Sequence, residues 1–182
     1  MANAKIAVLV SGGGTNLQAL IDAQNRTGLG GGQITAVIST KPGAYALTRG
    51  ENAGIPGYVL DRKEYASNRA MTQAMVQLLK QLQIDLVVLA GCMVIFTEEL
   101  VEAYPNAVMN VHPALIPSFC GEGYYGLHVH EKALEYGVKL SGATVHFVSE
   151  ECDGGPIIAQ KAVEVRADDT PETLQKRIME QA

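Results

Sequence analysis

The chain has 182 residues, 47% of them apolar, which is enough to bury a sizeable core and about the size of one domain. Its formal net charge of -5, with 14 Lys and Arg dispersed along the chain, argues against a nucleic-acid or membrane surface and for a small-molecule partner. The 3 cysteines, Cys92, Cys120 and Cys152, are odd in number and far apart, so they suit a reducing, cytoplasmic setting better than a disulfide framework or a zinc ribbon.

From the start, Met1 to Lys5 is too short and polar for a signal peptide, and no apolar run approaches the roughly 18 residues of a bilayer span. Ile6 to Val10 is a continuous apolar run, as are Ile34 to Ile38, Val59 to Leu60, Leu86 to Ala90 and Ala107 to Val111. Short β-prone runs of this kind are expected as parallel strands buried on both faces. Between them, Leu17, Leu20 and Ile21, then Met71, Met75, Leu78, Leu79 and Leu82, recur at helical spacing. Strand and helix alternate, which predicts a doubly wound, mostly parallel α/β sheet of Rossmann-like type. The glycine cluster at Gly28, Gly30, Gly31 and Gly32 reads as a surface loop.

Beyond about residue 140 the pattern changes. Ala143, Val145 and Phe147 alternate with Thr144, His146 and Val148, and a second run covers Ile157 to Val165, so an antiparallel pair is expected at the sheet edge. Thr170 followed by Pro171 starts a helix, with a hydroxyl cap and a proline in the first turn. That helix is expected to run into Ala182, with Leu174 and Ile178 as its apolar stripe and further sequence expected to continue it. One domain over 1-182, short of its C-terminal helix, is the resulting expectation.

Ser11-Gly12-Gly13-Gly14-Thr15-Asn16 follows the first strand and opens the first helix, where backbone N–H groups and the helix dipole favour an anion. Leu17 stands where a dinucleotide fingerprint needs its third glycine, and Ile38-Ser39-Thr40 ends the second strand without an acid. A monophosphate is favoured over a dinucleotide, although such glycines also serve simple tight turns.

Asn110-Val111-His112-Pro113 falls at the carboxyl end of a predicted strand, the usual ligand-binding edge of such sheets. Asn110 and His112, two apart on extended chain, point to the same side and can address one carbonyl. Asp153, in the turn-rich Glu151-Cys152-Asp153-Gly154-Gly155-Pro156, would favour a charged imidazole if it reached His112. His128, His130 and His146 match no zinc spacing; no metal site is expected, and they read as structural residues or supports of the site. No Gly-x-Ser-x-Gly elbow is present.

Five segments in order carry a family resemblance: Ser11-Gly12-Gly13-Gly14-Thr15-Asn16, Leu89-Ala90-Gly91-Cys92-Met93, Asn110 to Pro117, Gly142 to Val148, and Asp153 to Gln160. Together they resemble the folate-dependent phosphoribosylglycinamide (glycinamide ribonucleotide) formyltransferase family over nearly the whole chain. The resemblance implies formyl transfer from 10-formyltetrahydrofolate, as cosubstrate, to the amine of 5'-phosphoribosylglycinamide in purine biosynthesis. It implies that Gly14, Thr15 and Asn16 bind the substrate phosphate, that Met93, Val94, Ile95 and Phe96 with Asn110 line the folate pocket, and that Asn110, His112 and Asp153 are the catalytic trio. Asn110 and His112 would donate to the oxyanion, while Asp153 would act as base, directly or through water, and keep His112 charged.

Some members carry an arginine where Val94 stands, and some place one at the start of the helix that here begins Ser67-Asn68-Arg69. The stretch from Ser118 to Gly126 is longer than in some relatives and reads as a flap over the site. Rival readings are another folate-dependent formyltransferase, a formyltetrahydrofolate hydrolase, and, from a different class, a non-catalytic phosphate-ligand binding module. The sequence leaves the oligomeric state open.

Overall fold

β1, Ala4–Val10, is buried on both faces from Ala7 to Val10, as its unbroken apolar run requires of an interior strand. It belongs to a computed structural model that describes residues 3–181; Met1, Ala2 and Ala182, on which parts of the sequence reading fall, lie outside that range. Two compact units follow one another along the chain, one up to Met109 and one from Asn110 onward.

In the first unit β1 pairs in parallel with β2, Gly32–Ser39, on one side and with β4, Leu86–Leu89, on the other; β3, Gly57–Val59, pairs in parallel with β2. The order β3-β2-β1-β4 reverses direction at β1, the kind of switch point beyond whose strand carboxyl ends such sheets bind ligands. α1, Thr15–Arg26, buries Leu17 and Ile21 against Ile6, Val8 and Val10. Each such side chain contributes about 1.5–3 kcal/mol by leaving water.

α2, Tyr45–Asn52, has no large apolar stripe to announce it; it docks through Ala46 and Gly50, whose small size lets its backbone approach β2. α3, Asn68–Gln81, is capped by the Ser67 hydroxyl, which accepts from the Ala70 N–H, and buries Met71, Met75 and Leu79. α4, Glu98–Ala103, buries Leu100. The Thr97 N–H ahead of it donates to the buried Thr72 hydroxyl of α3, 3.1 Å away.

β5, Val108–His112, runs through the division between the units. The second unit contains α5, Leu127–Tyr136, then β6, Leu140–Phe147, and β7, Ile157–Glu164, which pair antiparallel with a register shift between Val145 and His146. Four parallel strands in one unit and an antiparallel C-terminal pair in the other make this the expected α/β class.

Along β6, Thr144 and His146 are as buried as Ala143, while Val145 and Phe147 are partly exposed. The last helix, α6, Pro171–Met179, starts at a Thr170–Thr173 capping box as expected but ends at Met179, with Glu180 as its cap. Its stripe is right: Leu174 and Ile178 form a core with Ala143 and Val163.

Candidate active site

Asp153 stands at the centre of a buried polar cluster in the second unit. Its Oδ2 lies 3.5 Å from His112 Nδ1 and accepts a 2.9 Å bond from the Gly121 N–H. Its Oδ1 lies 3.6 Å from His146 Nε2 and accepts from Asn110 Nδ2 at 3.5 Å. The asparagine and histidine that leave β5 on the same side therefore meet one carboxylate, supplied by the turn between β6 and β7.

The turn is built to present that carboxylate. Asp153 has φ 54, a left-handed conformation that aspartate tolerates better than most residues. Gly155, two residues on, lies so close to the end of β6 that a Cβ there would fall 1.7 Å from the Phe147 carbonyl oxygen. The Phe147 N–H closes the turn by donating to the Pro156 carbonyl at 2.9 Å.

His146 fixes Asn110. Its Nδ1 donates to the Phe147 carbonyl at 2.9 Å, and its Nε2 lies 3.1 Å from Asn110 Nδ2. The second N–H of that amide has only the long contact to Asp153. His112, 4% exposed, donates from Nε2 to the Phe119 carbonyl at 2.8 Å and turns Nδ1 to Asp153. A proton on each nitrogen makes the ring a donor on both sides.

Burial alone would push the Asp153 carboxyl up. The His146 imidazole, the Gly121 N–H bond and the His112 imidazole beside it outweigh burial and hold the group below the usual carboxylate value. An ionised carboxylate among imidazole and amide donors can orient them, accept a proton and balance a developing charge.

In the first unit the glycine turn leads into α1, with Gly14 as the helix cap in the left-handed region at φ 72. Thr15 and Asn16 form the first turn. Ser11 joins three strand ends: its N–H donates to the Gly91 carbonyl at 3.2 Å, its hydroxyl lies 2.6 Å from Thr40 Oγ1, and it accepts from the Met93 N–H at 2.8 Å. Met93 and Ile95 are each 58% exposed, and Val94 and Phe96 are partly buried. The guanidinium of Arg69 is engaged by Glu98 and Glu99.

The formyl transferase family model matches residues 4–182. The chain belongs to the formyl transferase family. A phosphoribosylglycinamide formyltransferase of Haemophilus influenzae is 42% identical over 177 residues, 97% of this chain and 81% of that protein. A trifunctional purine biosynthetic protein of Gallus gallus is 42% identical over 97% of this chain, which spans only 17% of that protein's length. The crystal structure of a glycinamide ribonucleotide transformylase from Symbiobacterium toebii superposes with a TM-score of 0.92 at 40% identity, covering 99% of this chain and 82% of that one.

Within the second unit the structure brings Asn110, His112 and Asp153 together, and within the first unit it ties the Met93 segment to Ser11 of the glycine turn. His146 holds the amide of Asn110, the supporting position expected of it. The Gly121 N–H and the Phe119 carbonyl were not foreseen; both are backbone groups, to which residue type gives no clue. They give the Ser118 to Gly126 stretch a definite contact with the site. His130 is fully buried with neither ring nitrogen partnered among the described residues. No helix there is long and apolar enough to cross a membrane, and no group of three or more His, Cys, Asp or Glu among the described residues is placed to hold a metal.

Proposed function

We propose that the chain transfers the formyl group of 10-formyltetrahydrofolate to the amine of 5'-phosphoribosylglycinamide, a step of purine biosynthesis leading to IMP, as a cytoplasmic enzyme. The observation that carries the reading is one carboxylate, Asp153, within 3.5 Å of both Asn110 Nδ2 and His112 Nδ1. The names borne by the Haemophilus and Symbiobacterium relatives favour this acceptor over other formyl acceptors. The family match runs through both compact units, which supports treating 1-182 as one formyltransferase domain.

The amine nitrogen attacks the formyl carbon, and the carbonyl oxygen becomes a tetrahedral oxyanion. Asn110 Nδ2 and His112 Nε2 donate to it, while Asp153 takes the proton from the attacking nitrogen, directly or through a water. Collapse breaks the bond from carbon to the folate nitrogen, which leaves with a proton as tetrahydrofolate. Gly14, Thr15 and Asn16 hold the phosphate of the acceptor. Met93, Val94, Ile95 and Phe96, with Asn110, line the folate site; the exposed side chains of Met93 and Ile95 suit a flat aromatic ligand.

The test is the folate absorbance change when both substrates are mixed with the protein. Turnover is expected with 5'-phosphoribosylglycinamide. Turnover only with a nucleotide sugar or a methionyl-tRNA acceptor would move the chain within its family, and binding of both ligands without turnover would make it a phosphate-ligand binding module.

A further inference from the structure

The glycine turn carries a constraint supplied by α2. Two of its carbonyls accept from α2: the Ala46 N–H donates to Gly12 at 3.1 Å, and Arg49 Nε donates to Gly13 at 2.8 Å. A trans peptide is planar, with its C=O and N–H pointing to opposite sides. Tying down the Gly12 carbonyl therefore turns the Gly13 N–H away from α2, and tying down the Gly13 carbonyl does the same for the Gly14 N–H. Neither N–H has a partner among the described residues. The N–H groups of Thr15 and Asn16 follow as unsatisfied donors of the first helical turn, so the run carries successive free donors of the kind that bind anions.

Arg49 is itself held on two further sides. Its Nη1 donates to Gln18 Oε1 of α1 at 3.1 Å, and its Cζ lies 4.9 Å from the centre of the Tyr45 ring. The fit leaves no slack at Gly14, where a Cβ would fall 2.6 Å from Ala46 Cβ. We propose that Arg49 is a positioning residue for the phosphate: it clamps the Gly13–Gly14 peptide so that the donors face the anion, and it sets a fixed positive charge behind them. Only a guanidinium reaches both acceptors, because its Nε and Nη donors form a rigid fork that an ammonium lacks. The inference rests on the reading that the acceptor's phosphate binds at this turn.

The experiment compares wild type with Arg49→Gln and Arg49→Lys in steady-state kinetics, with inorganic phosphate as competitor. Both variants are expected to raise KM for the phosphorylated amine and the inhibition constant of phosphate together, by about tenfold, the scale of one charge-assisted hydrogen bond. KM for 10-formyltetrahydrofolate and kcat are expected to stay near wild type. Unchanged values for both phosphate-bearing ligands would overturn the proposal. In wild type, titration with inorganic phosphate is expected to shift the backbone amide resonances of Gly13 and Gly14. Phosphate binding that moves neither would overturn it even if the variants fail to fold. A wild-type protein that binds phosphate at these amides but transfers no formyl group would contradict the functional reading and leave the clamp standing.

Discussion

His112 points Nε2 at the carbonyl oxygen of Phe119, 2.8 Å away, so the donor that the proposed mechanism offers to the oxyanion is occupied by the protein's own backbone. The same segment donates the Gly121 N–H to Asp153. On the proposed mechanism the stretch around Phe119 must release Nε2 to the substrate. Hydrogen exchange at the Gly121 amide is therefore expected to quicken when both substrates or products are bound. Equal protection in free and bound protein would show that the contact persists through turnover.

Asp153→Asn keeps the size of the side chain and its tolerance of the left-handed backbone, and removes the charge. Turnover is expected to fall by about 10³-fold, combining the loss of a base with weaker orientation of His112. Asp153 is held below the ordinary carboxylate value in the folded protein, so its stabilising effect is complete above the unfolded value and disappears as pH falls through the lower folded one. The variant should show a flatter loss of stability in that acid window. Near-normal turnover would remove Asp153 from the chemistry.

His130 titrates in the opposite sense to a salt-bridged histidine. Burial, with a smaller contribution from His112, pushes it down to about 4, so the folded state keeps it neutral while the unfolded chain takes up a proton at the usual imidazole value. Between about pH 6.5 and 4 the unfolded state binds more protons, and stability is lost as pH falls, by on the order of 3 kcal/mol across the window. His130→Leu removes this loss and two unsatisfied buried nitrogens. Urea melts should show the variant gaining on wild type from pH 7.5 to pH 5; parallel curves would contradict the assignment.

Gly155→Ala pushes a methyl group into the Phe147 carbonyl, and backbone must move to admit it. A loss of about 1–3 kcal/mol in stability is expected, the usual range for overpacking. Because the displaced turn carries Asp153, kcat should fall more than KM rises. A variant with lowered stability and unaltered kcat would show that the turn does not set the position of the carboxylate.

The fold class was legible because strands buried on both faces must be continuous apolar runs, as β1 is, and because Thr170 and Pro171 announce α6 chemically. Asn110 and His112 were legible through their spacing at a strand end. α2 was not, since it docks by smallness, at Ala46 and Gly50, and not by a large apolar stripe. The burial of Thr144 and His146 was not legible either, because it depends on partners distant in sequence, such as the Ala114 carbonyl and Asn110. The contacts from Phe119 and Gly121 are made by main-chain groups that every residue carries.

The most direct measurement follows the carbon itself. 10-Formyltetrahydrofolate labelled with ¹³C in the formyl group is incubated with 5'-phosphoribosylglycinamide and the protein, and the label is located by NMR. It is expected on the glycinamide nitrogen in the wild type and still on the folate in Asp153→Asn and His112→Ala. Label released as formate by the wild type, or left on the folate, would contradict formyl transfer by this cluster.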